Sequence, residues 1–347
     1  MGLYGLRKQL ETKPSSKPMI NTIKPSKLSK GDAIGLIATS FPLPTDKGSD
    51  YYLQYKRGIS ELESMGFTVK EGKNIHKTKW WFAGTPQERA DDINDMFANK
   101  EVRAIIVHDG GQSAIATLEH IDYESVRSNP KPFIGFSDIT NILVAVYSHT
   151  GLVGFHMDLL TYGLGGIWNN LEPDKKEQAR KMFYDILTSV EPVGVRKQLT
   201  PWECWKTGST IGKLFGGNLN MLSSLIGTKY FPNIEDLRGC IFFWETDNIQ
   251  SYRIERALYQ LKYAGLFDVI SGMVVGKLPD IKRTAWDGYT EPTPREITLE
   301  VVKEYGFPIL AEVDFGHKTV NTPMPIGLMA KLDADTLTLK VLESAVV

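Results

Sequence analysis

The amino-acid sequence predicts an α/β protein, in which a parallel-sheet α/β domain is followed by a β-rich domain. The first observation is an alternation of short apolar runs with segments of helical spacing over residues 31–151, which is typical of parallel strands covered by helices. The second is a change beyond residue 200 to shorter apolar runs among many Gly and Pro residues, which favours strands. A length of 347 residues also fits two domains better than one.

Four strands and four helices are predicted in the first domain. Apolar runs bounded by turn residues predict strands over residues 31–40, 67–72, 102–111 and 131–137. Helical spacing predicts helices over residues 51–66, 84–100, 113–122 and 138–151. Two helices close at a glycine, Gly66 and Gly151, as many helices do. Thr85 and Glu88 form a capping-box pattern around Pro86, which marks a helix start.

The second domain follows a charged helix predicted over residues 172–190. Its strands are predicted from short apolar runs and from the alternation in "TLTLKVLES". The predicted organisation is a flexible leader, the α/β domain, a helical connection and the β-rich domain, over residues 1–28, 29–165, 166–200 and 201–347.

Composition and charge exclude several classes of function. Lys plus Arg number 40 and Asp plus Glu 41, a net charge of -1, which gives no electrostatic basis for binding nucleic acid or an anionic membrane. Two cysteines, Cys204 and Cys240, are too few for a disulfide framework and too far apart for a metal knuckle. Because the basic, Pro- and Ser-rich N-terminus lacks the apolar core of a secretory signal, a cytoplasmic protein is expected.

Ser137 is the first candidate for chemistry, because it follows the apolar run of "KPFIGFSDIT" where a strand passes into a helix. In α/β proteins this edge of the sheet commonly carries the active site. Ser137 and Asp138 would equally suit a helix N-cap. The sequence "GFSDI" also lacks the second Gly of the G-x-S-x-G hydrolase turn, so that motif does not apply.

Three further segments end apolar runs with polar residues. The paired glycines of "HDGG" would let backbone N–H groups approach a ligand oxygen, although a plain turn explains them as well. Glu245 ends "IFFWE" and His317 follows "EVDFG", where an exposed strand end and a structural histidine are the alternatives. Ser137, Glu245 and His317 together form a possible nucleophile, acid and base set.

Six ordered segments carry a resemblance to a known family: "GFSDIT", "AGTPQERADDINDMFANKEVRAIIVHDGG", "GKLFGGNLNMLSSLIGT", "IFFWETDN", "YRIERALYQLKYAGLFDVISGMVVGKL" and "VDFGHKTVNTPMPIGLMA". The chain resembles the serine LD-carboxypeptidases, a family of muropeptide LD-carboxypeptidases and microcin C immunity carboxypeptidases. The resemblance covers the chain from the "GDAIGLIA" strand to its C-terminus.

The resemblance implies a role for each candidate residue. It assigns the nucleophile to Ser137, the acid to Glu245 and the histidine to His317, and it implies an oxyanion hole from the backbone N–H groups of Gly111 and Asp138. It also implies a site between the two domains, a homodimer, and catalysis without a metal or another cofactor.

The substrate stays open between two branches of the resemblance. Cell-wall muropeptides cut at an L,D-peptide bond are favoured, and aminoacyl-nucleotide antibiotics of the acyl-sulfamoyl adenosine kind are the alternative. Trp202 and Trp205 in "TPWECWKTG" would stack on a nucleobase or pack between the domains, and Asn218 would bind substrate or form a turn. The segment "GGQSAI" departs from the Gly-Gly-Tyr-Gly of typical muropeptide enzymes. A peptide-binding protein without catalysis is a third hypothesis.

Overall fold

The computed structural model describes residues 20–43, 45–280, 282 and 288–347. Most of the predicted leader, residues 1–28, therefore lies outside the described residues. In the described ranges none of the helices has the length and apolar character that crossing a membrane requires.

The first part of the chain alternates strands and helices, as its sequence pattern predicts. Its strands are β1 (Ala33–Ile37), β2 (Thr68–Glu71), β3 (Val102–Val107), β4 (Phe133–Gly135) and β5 (Gly154–His156). Its helices are α1 (Asp50–Ser64), α2 (Pro86–Ala98), α3 (Tyr123–Ser128) and α4 (Thr140–Thr150). The capping box predicted at Thr85 and Glu88 is confirmed, with both hydrogen bonds present.

One helix of the first part differs from its prediction. Residues 114–120 form a 3₁₀ turn, and the α-helix there, α3, begins only at Tyr123. Side-chain contacts explain the difference, because the Asp138 carboxylate accepts hydrogen bonds from the backbone of Ser113 and Ala114 and fixes the start of this turn.

The second part contains helix α5 (Pro173–Thr188) and a strand-rich region. Its strands are β6 (Gly194–Val195), β7 (Glu203–Lys206), β8 (Ser209–Asn218), β9 (Ile241–Glu245), β10 (Gly272–Gly276), β11 (Ile309–Val313), β12 (Met324–Ile326), β13 (Met329–Asp333) and β14 (Thr338–Val341). Its later helices are α6 (Leu219–Leu225), α7 (Ser251–Tyr263), α8 (Leu266–Val269) and α9 (Pro294–Val301).

The strands form two sheets. The six-stranded sheet has the order β12-β5-β4-β3-β1-β2, and its strands are parallel except for β12. The eight-stranded sheet has the order β6-β14-β13-β8-β9-β10-β11-β7, with β8 to β11 parallel and the others antiparallel. The predicted fold class, a parallel-sheet α/β domain and a strand-rich second domain, is confirmed.

One strand of the first sheet comes from the later part of the chain. Strand β12 comes from the strand-rich region, yet it pairs with β5 at the edge of the first sheet. Conversely, the edge strand β6 of the second sheet lies within residues 166–200, the segment predicted as a helical connection. The domain limits predicted from the sequence stay a prediction, since neither sheet is confined to one side of residue 201.

Candidate active site

Ser137, Glu245 and His317 meet at the ends of strands from both sheets, with Ser137 after β4, Glu245 at the end of β9 and His317 after β11. His317 Nε2 lies 3.0 Å from Ser137 Oγ, and His317 Nδ1 lies 2.6 Å from Glu245 Oε2. The three side chains thus form one hydrogen-bonded row, hydroxyl to imidazole to carboxylate. Such a row lets a histidine accept the proton of a serine while a carboxylate orients its ring.

Ser137 is held in an unfavourable backbone conformation. It follows β4 and has a φ of 58°, in the left-handed region that side chains other than Gly and Asn rarely occupy. A Cβ at Gly135 would lie 2.7 Å from the side chain of Ile139, so only glycine permits this sharp turn. Backbone strain of this kind is found mainly at functional sites.

Glu245 is fully buried at the C-terminal end of β9. Its second oxygen, Oε1, accepts a hydrogen bond of 3.0 Å from Asn218 Nδ2, since Asn218 is its direct neighbour on β8. Burial opposes the charge of this carboxylate, but the charge and hydrogen bond of His317 outweigh burial and keep the pKa of Glu245 below its usual value. The side chain is therefore a carboxylate at neutral pH.

His317 reaches Glu245 across the end of β10, which lies between β9 and β11. This approach requires small residues, because a Cβ at Gly316 would lie 3.0 Å from Glu245 Oε2. Tyr162 Oη donates a hydrogen bond of 2.9 Å to the His317 carbonyl. Burial opposes the charged imidazole, yet the nearby Glu245 carboxylate raises the pKa of His317 above its ordinary 6.5.

A second histidine, His156, lies behind this row at the end of β5. Its ring makes edge contacts with Phe136, Phe243 and Phe315, at centroid distances of 5.8, 5.5 and 6.1 Å. Each of these phenylalanines lies one or two residues before Ser137, Glu245 or His317. Burial lowers the pKa of His156 to about 4, so its ring stays neutral.

The paired glycines lie beside the serine, as a potential oxyanion hole requires. A Cβ at Gly110 would lie 3.4 Å from Ser137 Oγ, and Gly111 has a φ of 150° with Ser40 Oγ 2.1 Å from where its Cβ would be. Ser40 Oγ accepts hydrogen bonds from the amides of Gln112 and Ser113. The amide of Gly111 has no acceptor among the described residues, which leaves it available to a ligand.

Asp138 has two separable parts. Its carboxylate is buried and accepts the amides of Ser113 and Ala114 at 2.9 Å, which ties the glycine loop to the start of the helix after β4. Burial raises the pKa of this carboxyl despite those hydrogen bonds. Its backbone amide, one residue after Ser137, donates to no acceptor in the part of the chain that the structure describes.

A cavity of about 710 Å³ opens in front of Ser137. Ser137, His317 and the two glycines line it, together with Phe41, Tyr51, Thr78, Asp109 and Asp247. Tyr51 Oη donates a hydrogen bond to Asp109. Such a volume accommodates a small peptide or a drug-sized molecule.

The other predicted substrate residues do not line this cavity. Trp202 is buried and its Nε1–H donates to Asp314, while the Nε1–H of Trp205 donates to Glu203. The structure does not bring either indole to Ser137, and stacking on a nucleobase stays a prediction without a contact behind it. Asn218 is also buried: besides contacting Glu245, its Oδ1 caps helix α6 by accepting the amide of Asn220.

Sequence analysis missed three contributors to the site. Tyr162 donates a hydrogen bond to the His317 carbonyl, and Ser40 holds the glycine loop. His156 packs among the phenylalanines behind the catalytic row. Each acts through tertiary contacts, so no local motif marks it. In the described residues, no three His, Cys, Asp or Glu side chains are placed to hold a metal ion.

Comparison with known proteins places most of the chain in one family. Residues 34–157 match the family model of the LD-carboxypeptidase N-terminal domain, and residues 211–332 match that of the C-terminal domain. A probable murein peptide carboxypeptidase of Bacillus subtilis is 32% identical over 318 residues, covering 89% of this chain and 91% of its own.

Two further proteins are similar in sequence and structure. The microcin C7 self-immunity protein MccF of Escherichia coli is 28% identical, over 91% of this chain and 94% of its own. Its complex with glutamyl sulfamoyl guanosine superposes with a TM-score of 0.80, at 26% identity, over 95% of this chain and all of that one. The muramoyltetrapeptide carboxypeptidase of Oxalobacter formigenes superposes with a TM-score of 0.73, at 25% identity, over 89% and 97% of the two chains.

Proposed function

The chain belongs to the LD-carboxypeptidase family, and on this basis we propose that it is a serine carboxypeptidase that releases a terminal D-amino acid from cell-wall muropeptides. The observation that carries the proposal is the row from Ser137 Oγ through His317 to Glu245, with distances of 3.0 and 2.6 Å. Relatives named for murein peptides support the substrate class.

In the first half of the proposed reaction, Ser137 attacks the carbonyl of the L,D-peptide bond. His317 Nε2 takes the hydroxyl proton as Oγ bonds to the carbonyl carbon, and the carbonyl oxygen becomes an oxyanion. The amides of Gly111 and Asp138 would donate to that oxyanion. When the C–N bond breaks, His317 gives the proton to the leaving amine, and the D-amino acid departs from an acyl-enzyme ester.

In the second half, water replaces the amine. His317 takes a proton from the water as its oxygen attacks the ester carbonyl, and it then returns this proton to Ser137 Oγ as the ester bond breaks. Glu245 stabilises the imidazolium twice in the cycle. The burial of this carboxylate makes the stabilisation effective, because little water screens the pair.

A second candidate function is hydrolysis of aminoacyl-nucleotide antibiotics. A specific observation favours it, since the self-immunity protein MccF superposes more closely and over more of the chain than the muramoyltetrapeptide carboxypeptidase does. The same row of Ser137, His317 and Glu245 would cleave the amide between the amino acid and the nucleotide part. The intact row also favours an enzyme of either kind over a protein that only binds peptides.

The finer properties of the protein are part of the proposal. We propose a homodimer on family resemblance, and a cytoplasmic location because Cys204 and Cys240 are both free, which suits a reducing compartment. The proposal assigns no step to a metal or cofactor.

The deciding experiment measures D-alanine release from a purified murein tetrapeptide, by the wild-type protein and by Ser137→Ala. An aminoacyl-sulfamoyl adenosine is assayed in parallel. We expect release from the tetrapeptide that disappears in the variant. Cleavage of the nucleotide conjugate alone would replace the first candidate by the second, and turnover of neither by folded protein would favour a binding role.

A further inference from the structure

Two tryptophans form the tip of a tight hairpin between β2 and α2. Lys79 and Phe82 pair with each other, with N–H to O distances of 2.8 and 3.0 Å. Trp80 and Trp81 are therefore the two central residues of a two-residue turn. Sequence analysis gave them no role.

This turn is unfavourable for the residues that form it. Trp80 has a φ of 57°, at the first central position, where two-residue hairpins normally carry Gly, Asn or Asp. A bulky residue with positive φ is a rare outlier. The two indoles are also 77% and 64% exposed, so burial does not compensate for the strain. Strain together with exposed aromatic surface is typical of ligand-binding segments.

The hairpin begins next to the wall of the active-site cavity. Thr78 lines the cavity, and the Cα of Trp80, two residues along, lies within about 7 Å of the Cα of Thr78. On the other side of the turn, the amide of Ala83 donates a hydrogen bond of 2.8 Å to the Ser40 carbonyl. Ser40 in turn holds the glycine loop beside Ser137.

The two rings offer a binding face that points away from the protein. Their centroids are 6.2 Å apart and their planes differ by 33°, so they form a bent platform rather than a slot for a flat ring. The Lys79 ammonium lies 5.1 Å from the Trp80 centroid and occupies one face of that indole. The electron-rich face of an indole attracts the positive edges of C–H bonds.

We propose that Trp80 and Trp81 form a subsite that binds a pyranose ring of the glycan attached to the peptide substrate. The inference rests on the proposed muropeptide function. A sugar ring presents a face of C–H bonds that suits a solvated aromatic platform. Three residues precede the scissile bond of a tetrapeptide, and they span about 10 Å when extended, so the attached glycan lies away from Ser137, towards the outer parts of the cavity or beyond it.

The test compares a free murein tetrapeptide with the same tetrapeptide attached to its disaccharide. The double variant Trp80→Ala/Trp81→Ala is expected to raise KM for the disaccharide-tetrapeptide by about tenfold, the order expected for one or two aromatic contacts. Its kcat on that substrate and both constants for the free tetrapeptide should not change. The matched control is Tyr263→Ala, which removes an aromatic ring that is 81% exposed on α7. This variant should leave KM and kcat unchanged for both substrates.

Trp80→Gly separates binding from folding. Glycine adopts the left-handed conformation without strain, so the melting temperature should stay equal or rise while KM for the disaccharide substrate still increases. A rise in KM of equal size for both substrates would overturn the inference alone, as would a change of oligomeric state in the double variant, which would make the pair a subunit contact. Wild-type protein that releases D-alanine from neither substrate would overturn the proposed function, and this inference with it.

Discussion

The two sides of His317 are built in different ways. Behind it, Glu245 and Asn218 are adjacent on neighbouring strands and almost wholly buried, and His156 packs among three phenylalanines. In front of it, the cavity wall comes mostly from loops, with exposed Phe41 and a glycine loop held by side-chain hydrogen bonds. The register of the strands therefore sets the position of the Glu245 carboxylate relative to His317, whereas the loops set the shape of the cavity in front of Ser137. Substitutions on the two sides should therefore impair activity in different ways.

Ser137→Ala should produce the largest loss. Removing the hydroxyl should lower kcat by a factor on the order of 10⁴–10⁶, while the melting temperature stays nearly unchanged or rises because no buried contact besides His317 is lost. Steady-state kinetics and thermal denaturation measure both. Residual activity above about one hundredth of wild type would remove Ser137 from the role of nucleophile.

Glu245→Gln should come next and should affect the buried side. The amide keeps the shape but loses the charge, and its single oxygen cannot accept from both Asn218 and His317. We expect kcat/KM to fall by a factor on the order of 10³–10⁴, with the fold retained by circular dichroism. A variant that keeps wild-type kcat/KM would show that the carboxylate does not orient the base.

The dependence of kcat/KM on pH should also reveal the buried charge of Glu245, with a smaller effect. His317 must be neutral to accept a proton, and Glu245 holds its pKa above 6.5. The value of kcat/KM should therefore fall about tenfold per pH unit below that pKa and level off above it. In Glu245→Gln the acid limb should move to lower pH, because the charge that raises the pKa is gone. A wild-type limb centred below 6.5 would contradict the assignment.

Asn218→Ser should give the smallest of these effects. The serine hydroxyl still offers an oxygen for the N-cap of α6. The variant lacks the Nδ2–H group that donates a hydrogen bond to Glu245. We expect kcat/KM to fall about tenfold, the value of one hydrogen bond to a charged group, with little change in melting temperature. Asn233→Ser, at an exposed turn, is the matched control. Wild-type kcat/KM in both variants would mean that Asn218 only caps the helix.

The polar residues at strand ends were the most predictable part of the site. An apolar run that ends in a single polar residue marks a strand end, and this pattern alone singled out Ser137, Glu245 and His317. Their assignment as one set came from family resemblance, since chain order does not specify which strand ends meet. The alternation of strands and helices was likewise sufficient to predict β1 to β4, four of the six strands of the first sheet, but neither β5 nor β12.

The remaining features depend on contacts that a local pattern does not contain. Asn218 looked like a turn residue or a substrate ligand, but its position opposite Glu245 depends on the register of β8 and β9. Trp202 and Trp205 drew attention as tryptophans, yet both indoles donate to nearby carboxylates. The hairpin turn at Trp80 was not predicted, because a left-handed conformation is not expected at a bulky residue.

The pairing of β12 with β5 has a consequence for how the enzyme is assembled. Met324 lies opposite His156, at the end of the strand that supports the catalytic row, and Val347 exchanges backbone hydrogen bonds with residues 25 and 27. Contacts between such distant parts of a chain form late and slowly in folding. A chain in which only β1 to β5 have paired thus holds the serine without its base, so hydrolysis begins only when β12 has joined the first sheet.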